Sequence, residues 1–95
     1  MQVENVKVKD FFIVMNEKGL HTRPATELVK CTSKFKAHIT LSYQDLTVNG
    51  KSLLGILMLA ASRGSKIKIE AEGDDADSAV KALVDLASNK FYINY

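Results

Sequence analysis

Cysteine occurs once, proline once and tryptophan not at all in these 95 residues. A lone thiol cannot close an internal disulfide, which agrees with a cytoplasmic chain. Cys31 follows Leu28 by three positions in a helical pattern and reads as a small core residue rather than a reactive thiol. Neither sign of charge is in excess: 13 basic against 11 acidic side chains leave +2, too slight a balance to argue for nucleic acid. No long apolar run is present. The stretch 11–15 is too short to cross a membrane, and Met1-Gln2-Val3-Glu4-Asn5 lacks the basic region and apolar core of a secretory signal. Internal repeats, linkers and low-complexity tracts are absent too.

What is present suits one domain over 1–95, with a core over about 10–90, a short extra N-terminal segment and an apolar C-terminal tail. The length leaves no room for a second core, and 46% apolar with 25% charged residues is ordinary for a soluble globular protein. Asp-Phe-Phe-Ile-Val-Met predicts a first strand over 10–15. A helix follows from about 22 to 33, with Ala25, Leu28, Val29 and Thr32 inward and Phe35 closing that face. Ala37, Ile39, Leu41 and Tyr43 then alternate with His38, Thr40 and Ser42, so one face of this strand is polar. Gln44-Asp45 turns tightly into a short strand over 46–48. Ser52 is placed to cap a second helix from Leu53 to about Arg63, stopping at Gly64. In the next strand Ile67, Ile69 and Ala71 point inward and Lys66, Lys68, Glu70 and Glu72 outward. A last helix follows Gly73-Asp74-Asp75, burying Ala76, Ala79, Val80, Leu83, Val84 and Ala87 and ending near Asn89. The elements predict an α+β fold: three helices on one face of a four-stranded antiparallel sheet.

Several chemistries fail on spacing. Gly50-Lys51-Ser52 would end a nucleotide-binding P-loop only with a glycine at position 45, where Asp45 stands. The Gly-X-X-Gly of a KH-type RNA-binding domain does not occur. Two histidines and one cysteine cannot supply a four-ligand metal site, and His38 is assigned to the polar strand face.

Gly19-Leu20-His21-Thr22-Arg23-Pro24-Ala25 is more informative. Proline lacks an N–H and fits a first helical turn, which places His21 at or beside the helix N-cap. There the unpaired N–H groups and the positive end of the helix dipole attract an anion. Arg23 adds fixed positive charge. Both favour the neutral ring, leaving one nitrogen free as nucleophile. In the second helix Leu53, Leu54, Ile56, Leu57, Met58 and Leu59 exceed one inward stripe. Ile56, Met58 and Leu59 are assigned to the core, and Leu53, Leu54 and Leu57 to an exposed docking patch.

With Asn49-Gly50-Lys51-Ser52-Leu53-Leu54-Gly55 about thirty residues downstream, the histidine stretch resembles the HPr family, the histidine-containing phosphocarriers of the bacterial phosphoenolpyruvate-dependent sugar phosphotransferase system. The resemblance spans about Phe12 to Lys90. It implies an open-faced two-layer sandwich with sheet order 1-4-2-3. It implies a component of a transferase system, with no cofactor, that takes a phosphoryl group from phospho-enzyme I on Nδ1 of His21 and passes it to an enzyme IIA domain. Arg23 and Thr22 would bind the phosphoryl oxygens and Pro24 fix the turn. Ser52 is a candidate for regulatory phosphorylation by an HPr kinase/phosphorylase, and Leu53, Leu54 and Leu57 match docking positions. The alternative is a purely regulatory member acting through Ser52 and protein partners.

The motif contains no carboxylate to activate water; the nearest acids in sequence are Glu17 and Glu27. Thr22 stands where the family usually has alanine, and Lys18 where a small polar residue is common. The added charge of Lys18 predicts tighter phosphoryl retention or altered partner choice. Finally, Phe11, Ile13 and Met15 alternate with Phe12 and Val14, so the first strand is apolar on both faces. The tail Phe91-Tyr92-Ile93-Asn94-Tyr95, the residues before Asp10, or weak self-association of an otherwise monomeric chain is expected to cover the outer patch.

Overall fold

A computed structural model describes residues 7–95. The chain runs β1 (Lys7–Ile13), α1 (Thr22–Thr32), β2 (His38–Tyr43), β3 (Leu46–Asn49), α2 (Leu53–Met58), β4 (Lys66–Glu72) and α3 (Ala76–Ser88), closing on a 3₁₀ turn at Lys90–Tyr92. The strands form one sheet of order β1-β4-β2-β3, antiparallel at every pairing. Strand alternation sends Phe12, Ile39, Leu41, Ile67, Ile69 and Ala71 into the core against the helices. The other face carries the lysines of β4 and the exposed His38. Helix α1 contributes Ala25, Leu28 and Thr32, and α3 contributes Ala76, Ala79, Val80, Leu83 and Ala87; Val29 and Val84 are half-buried at the core's margin. The fold is the open-faced α+β sandwich expected. Among the described residues no helix is long and apolar enough to cross a membrane.

Three expectations need correction. β1 starts three residues earlier than the expected strand over 10–15 and stops two sooner. The length of β4 decides this, since its partners run from Lys7 opposite Glu72 to Ile13 opposite Lys66. Beyond that ladder, Val14 still exchanges backbone bonds with Ser65 (2.9 Å) and Gly64 (2.7 Å).

The second difference is the length of α2, which ends at Met58 rather than near Arg63. Ala60 takes a left-handed φ of 49°, and the chain over 60–65 is needed alongside the histidine loop, where the Ala61 carbonyl accepts the Leu20 N–H at 2.9 Å. Tertiary pairing overrides helix propensity here.

The third is the tail, which does not cover the outer sheet face. Lys90, Phe91 and Tyr92 turn with φ of 55°, 56° and 58°, a left-handed conformation costing roughly 1–2 kcal/mol per residue. This turn drives Phe91 into the core, with its ring edge-on to Phe12 at 6.0 Å. Burying one such ring contributes about 3 kcal/mol at most, so further contacts must hold the turn. Phe11, Ile13 and Met15 stay 45%, 40% and 43% exposed, with the Lys66 ammonium 4.1 Å above the Phe11 ring. Residues 1–6, also considered as a cover, lie outside the described residues.

Candidate functional site

The loop between β1 and α1 is built to deliver one side chain. Asn16 and Gly19 close it, the Gly19 N–H donating to the Asn16 carbonyl at 2.9 Å. Gly19 has φ +75°, and a Cβ there would sit 2.5 Å from the Ala61 carbonyl oxygen, so only glycine passes at this height. Leu20 is buried next to it. His21 follows as the N-cap of α1, with extended backbone (φ −85°, ψ −170°) and no side-chain capping bond. Its carbonyl accepts the Ala25 N–H at 2.9 Å. The N–H groups of Thr22 and Arg23 therefore have no acceptor inside the helix, and Pro24, buried in the same turn, has no N–H to satisfy.

Around the His21 ring the arrangement is asymmetric. Nε2 is buried and meets no hydrogen-bond partner among the described residues; Nδ1 is not sealed off in this way. The ring of Tyr95 lies on the imidazole, centroids 5.5 Å apart and planes 19° from parallel. Arg23 donates from Nη1 to the Tyr95 hydroxyl, and its guanidinium carbon is 5.4 Å from the ring centroid. Lys18 places its ammonium 4.9 Å from that centroid, within cation–π range. Arg23 and Lys18 thus converge on Tyr95, whose ring lies on the histidine.

The tail is held there by Asn16. This side chain is fully buried, and its Nδ2 donates to the backbone oxygens of Lys90 (3.0 Å), Ile93 (3.3 Å) and Tyr95 (2.9 Å). Neither Asn16 nor Tyr95 was singled out from sequence. An asparagine after a strand reads as a turn residue, and a terminal tyrosine shows an apolar tail without showing which face receives it.

Beside the histidine lies a depression of about 330 Å³ bordered by Lys18, Leu20, His21, Leu57 and Ala61. Leu57 is thereby brought to the site. Leu53 and Leu54 stand exposed on α2, Leu54 by 70%. Met58, assigned to the core, is 60% exposed; Ile56 is the buried residue of α2, Leu59 is buried just past its end, and Met58 is turned outward. Ser52 caps α2, its hydroxyl accepting the Gly55 N–H at 3.0 Å. Among the described residues no hydrogen bond or ring contact joins it to His21.

Of the acids nearest in sequence, Glu27 pairs with Lys30 at 3.2 Å, and Glu17 is exposed. Cys31 is half-buried rather than core, and burial pushes its thiol up. No cluster of metal-ligating side chains occurs among the described residues.

A family model described as "PTS HPr component phosphorylation site" matches residues 8–89. The chain belongs to the HPr family. It is 43% identical over 79 residues to the phosphocarrier protein HPr of Xylella fastidiosa (strain 9a5c), covering 83% of this chain and 89% of that one. To the HPr of Neisseria meningitidis serogroup A it is 37% identical over 84 residues, 88% of this chain and 94% of that one. In structure it resembles the crystal structure of HPr-C-His from Thermoanaerobacter tengcongensis, with TM-score 0.87 and 41% identity over 93% of this chain and 99% of that one. Membership of the HPr family carries with it the phosphotransferase system, sugar transport and a phosphohistidine. It also implies partners of that system in general.

Proposed function

We propose that this chain carries phosphoryl groups on Nδ1 of His21, receiving them from phospho-enzyme I and passing them to an enzyme IIA domain in the cytoplasm. The observation that supports this reading is the asymmetry of the imidazole at a helix N-terminus two residues before Arg23: Nε2 is buried without a partner, and Nδ1 is not. In the transfer the Nδ1 lone pair forms the bond to phosphorus as the donor–phosphorus bond breaks, and the donor atom keeps that electron pair. With the ring's proton on Nε2, no proton has to leave Nδ1. The departing charge on the phosphoryl oxygens is met by Arg23 and the N–H groups of Thr22 and Arg23. Pro24 fixes that turn. Glu27, occupied by Lys30, is not free to activate water, which suits a carrier that must not hydrolyse its cargo.

Docking of both partners is assigned to Leu53, Leu54 and Leu57 together with the rim of the depression. Ser52 supports a second, regulatory reading. Its hydroxyl would have to release the Gly55 N–H to take a phosphate, placing about two negative charges beside Leu53 and Leu54. Such a phosphate, added by an HPr kinase/phosphorylase, would weaken docking; Ser52→Asp should then accept phosphoryl groups from enzyme I more slowly than Ser52→Ala, and equal rates would remove this reading.

The carrier reading is tested by incubation with phosphoenolpyruvate and enzyme I, followed by intact-mass measurement. One acid-labile phosphate, missing in His21→Ala, is expected. Persistence of that label in the variant would overturn the assignment.

A further inference from the structure

The C-terminal residue is too heavily anchored to be an incidental neighbour of the histidine. Three backbone oxygens of the tail converge on the buried Asn16 amide, three successive residues accept left-handed backbone, and Phe91 is packed in the core. All of this delivers one aromatic ring onto His21 and one hydroxyl to Arg23. Strain retained by surrounding contacts is characteristic of functional sites.

The geometry also distinguishes a support from an obstruction. A stacked ring covers the face of an imidazole, whereas the Nδ1 lone pair lies in the plane of the ring and points out from its edge. Phosphorus can therefore reach Nδ1 with Tyr95 in place. Arg23 likewise commits one of its five N–H donors to the Tyr95 hydroxyl and keeps the others for phosphoryl oxygens. The Lys18 ammonium on the same aromatic ring adds positive charge without touching the imidazole.

We propose that Tyr95 is a positioning residue for phosphoryl transfer: its ring, stacked on the face of the His21 imidazole, fixes the ring's orientation, and its hydroxyl aims the Arg23 guanidinium. This rests on His21 being the phosphoryl acceptor. Neither group enters the reaction itself, so the effect is on the probability that acceptor and charge stabiliser are aligned when the donor docks.

Two variants of the full chain separate the parts. Tyr95→Phe keeps the stack and loses the hydroxyl; kcat for acceptance from phospho-enzyme I should fall about tenfold, the scale of one hydrogen bond to a charged group, with KM for the carrier changed less than about twofold. Tyr95→Leu loses both, and should lower kcat further. In the unphosphorylated Tyr95→Leu protein ¹⁵N relaxation of the His21 ring should also show a more mobile imidazole, because its face has lost the stacked ring. Wild-type or faster transfer in both variants would overturn the proposal, whatever their melting temperatures. If wild-type protein takes up no acid-labile phosphate, it is the acceptor reading that fails. The spectra still decide the positioning role: unchanged His21 ring mobility in Tyr95→Leu overturns it, and a more mobile ring supports it.

Discussion

Replacing Asn16 by alanine is expected to cost more than a loop position would suggest. The amide has two N–H groups and faces three backbone oxygens at 2.9–3.3 Å, so one N–H is shared. At about 1 kcal/mol net per hydrogen bond the two donors contribute roughly 2 kcal/mol. Carbonyls left buried without a donor add to the loss. Removing Oδ1, itself buried with no partner, returns roughly 1 kcal/mol, and the two corrections about cancel. A net loss of about 2 kcal/mol lowers the melting temperature of a domain this size by roughly 8–16 °C. Circular dichroism melts measure the loss, and ¹H–¹⁵N spectra should show residues 93–95 released. Asn16→Asp should be worse at neutral pH, since a carboxylate facing three backbone oxygens donates nothing, and should recover in acid, where the protonated group regains a donor. A melting temperature for Asn16→Ala within about 2 °C of wild type would refute the clamp.

Other outcomes follow from single contacts. Gly19→Ala forces a Cβ to 2.5 Å from the Ala61 carbonyl at positive φ and should lose at least about 2 kcal/mol in urea unfolding. Asp75 accepts the N–H groups of Lys36 and Ala37, each at 2.8 Å. Chiefly the Lys36 bond holds its carboxyl below the usual range, against a smaller opposing effect of burial. A depressed folded value means stability that is present above the unfolded pKa and lost as pH falls through the folded one. Asp75→Asn should therefore melt below wild type at pH 7, and the gap should close as pH drops below about 4. Leu54→Ser should leave the melting temperature unchanged, because the side chain is mostly in water, yet slow transfer from enzyme I several-fold in a stopped assay. Phosphorylated Lys18→Ser should hydrolyse faster than wild type, followed by loss of mass with time.

The elements that could be read in advance are those whose pattern depends on near neighbours. β2 and β4 alternate between Ile39, Leu41, Ile67, Ile69 and polar partners, and α3 repeats its small and apolar residues at helical spacing, so burial follows period. What escaped depends on contacts distant in sequence. The end of α2 is set by Ala61 pairing with Leu20, about forty residues away, and the extent of β1 by the length of β4. The motif around His21 was legible because proline and the unpaired first turn are local. The other half of the site was not: Asn16 reaches residues 74–79 positions away, and nothing in an apolar terminal pentapeptide indicates that Tyr95 ends on a histidine rather than on Phe11 and Ile13. Sheet order came from family resemblance alone, since alternation is the same in every strand order.

The most direct test of the central claim is to label the histidines with ¹⁵N, phosphorylate with phosphoenolpyruvate and enzyme I, and read the ring nitrogens of His21 and His38. The account predicts phosphate on Nδ1 of His21, with His38 unchanged on its exposed strand face. Phosphate on Nε2, on His38, or only as an acid-stable serine ester would contradict it.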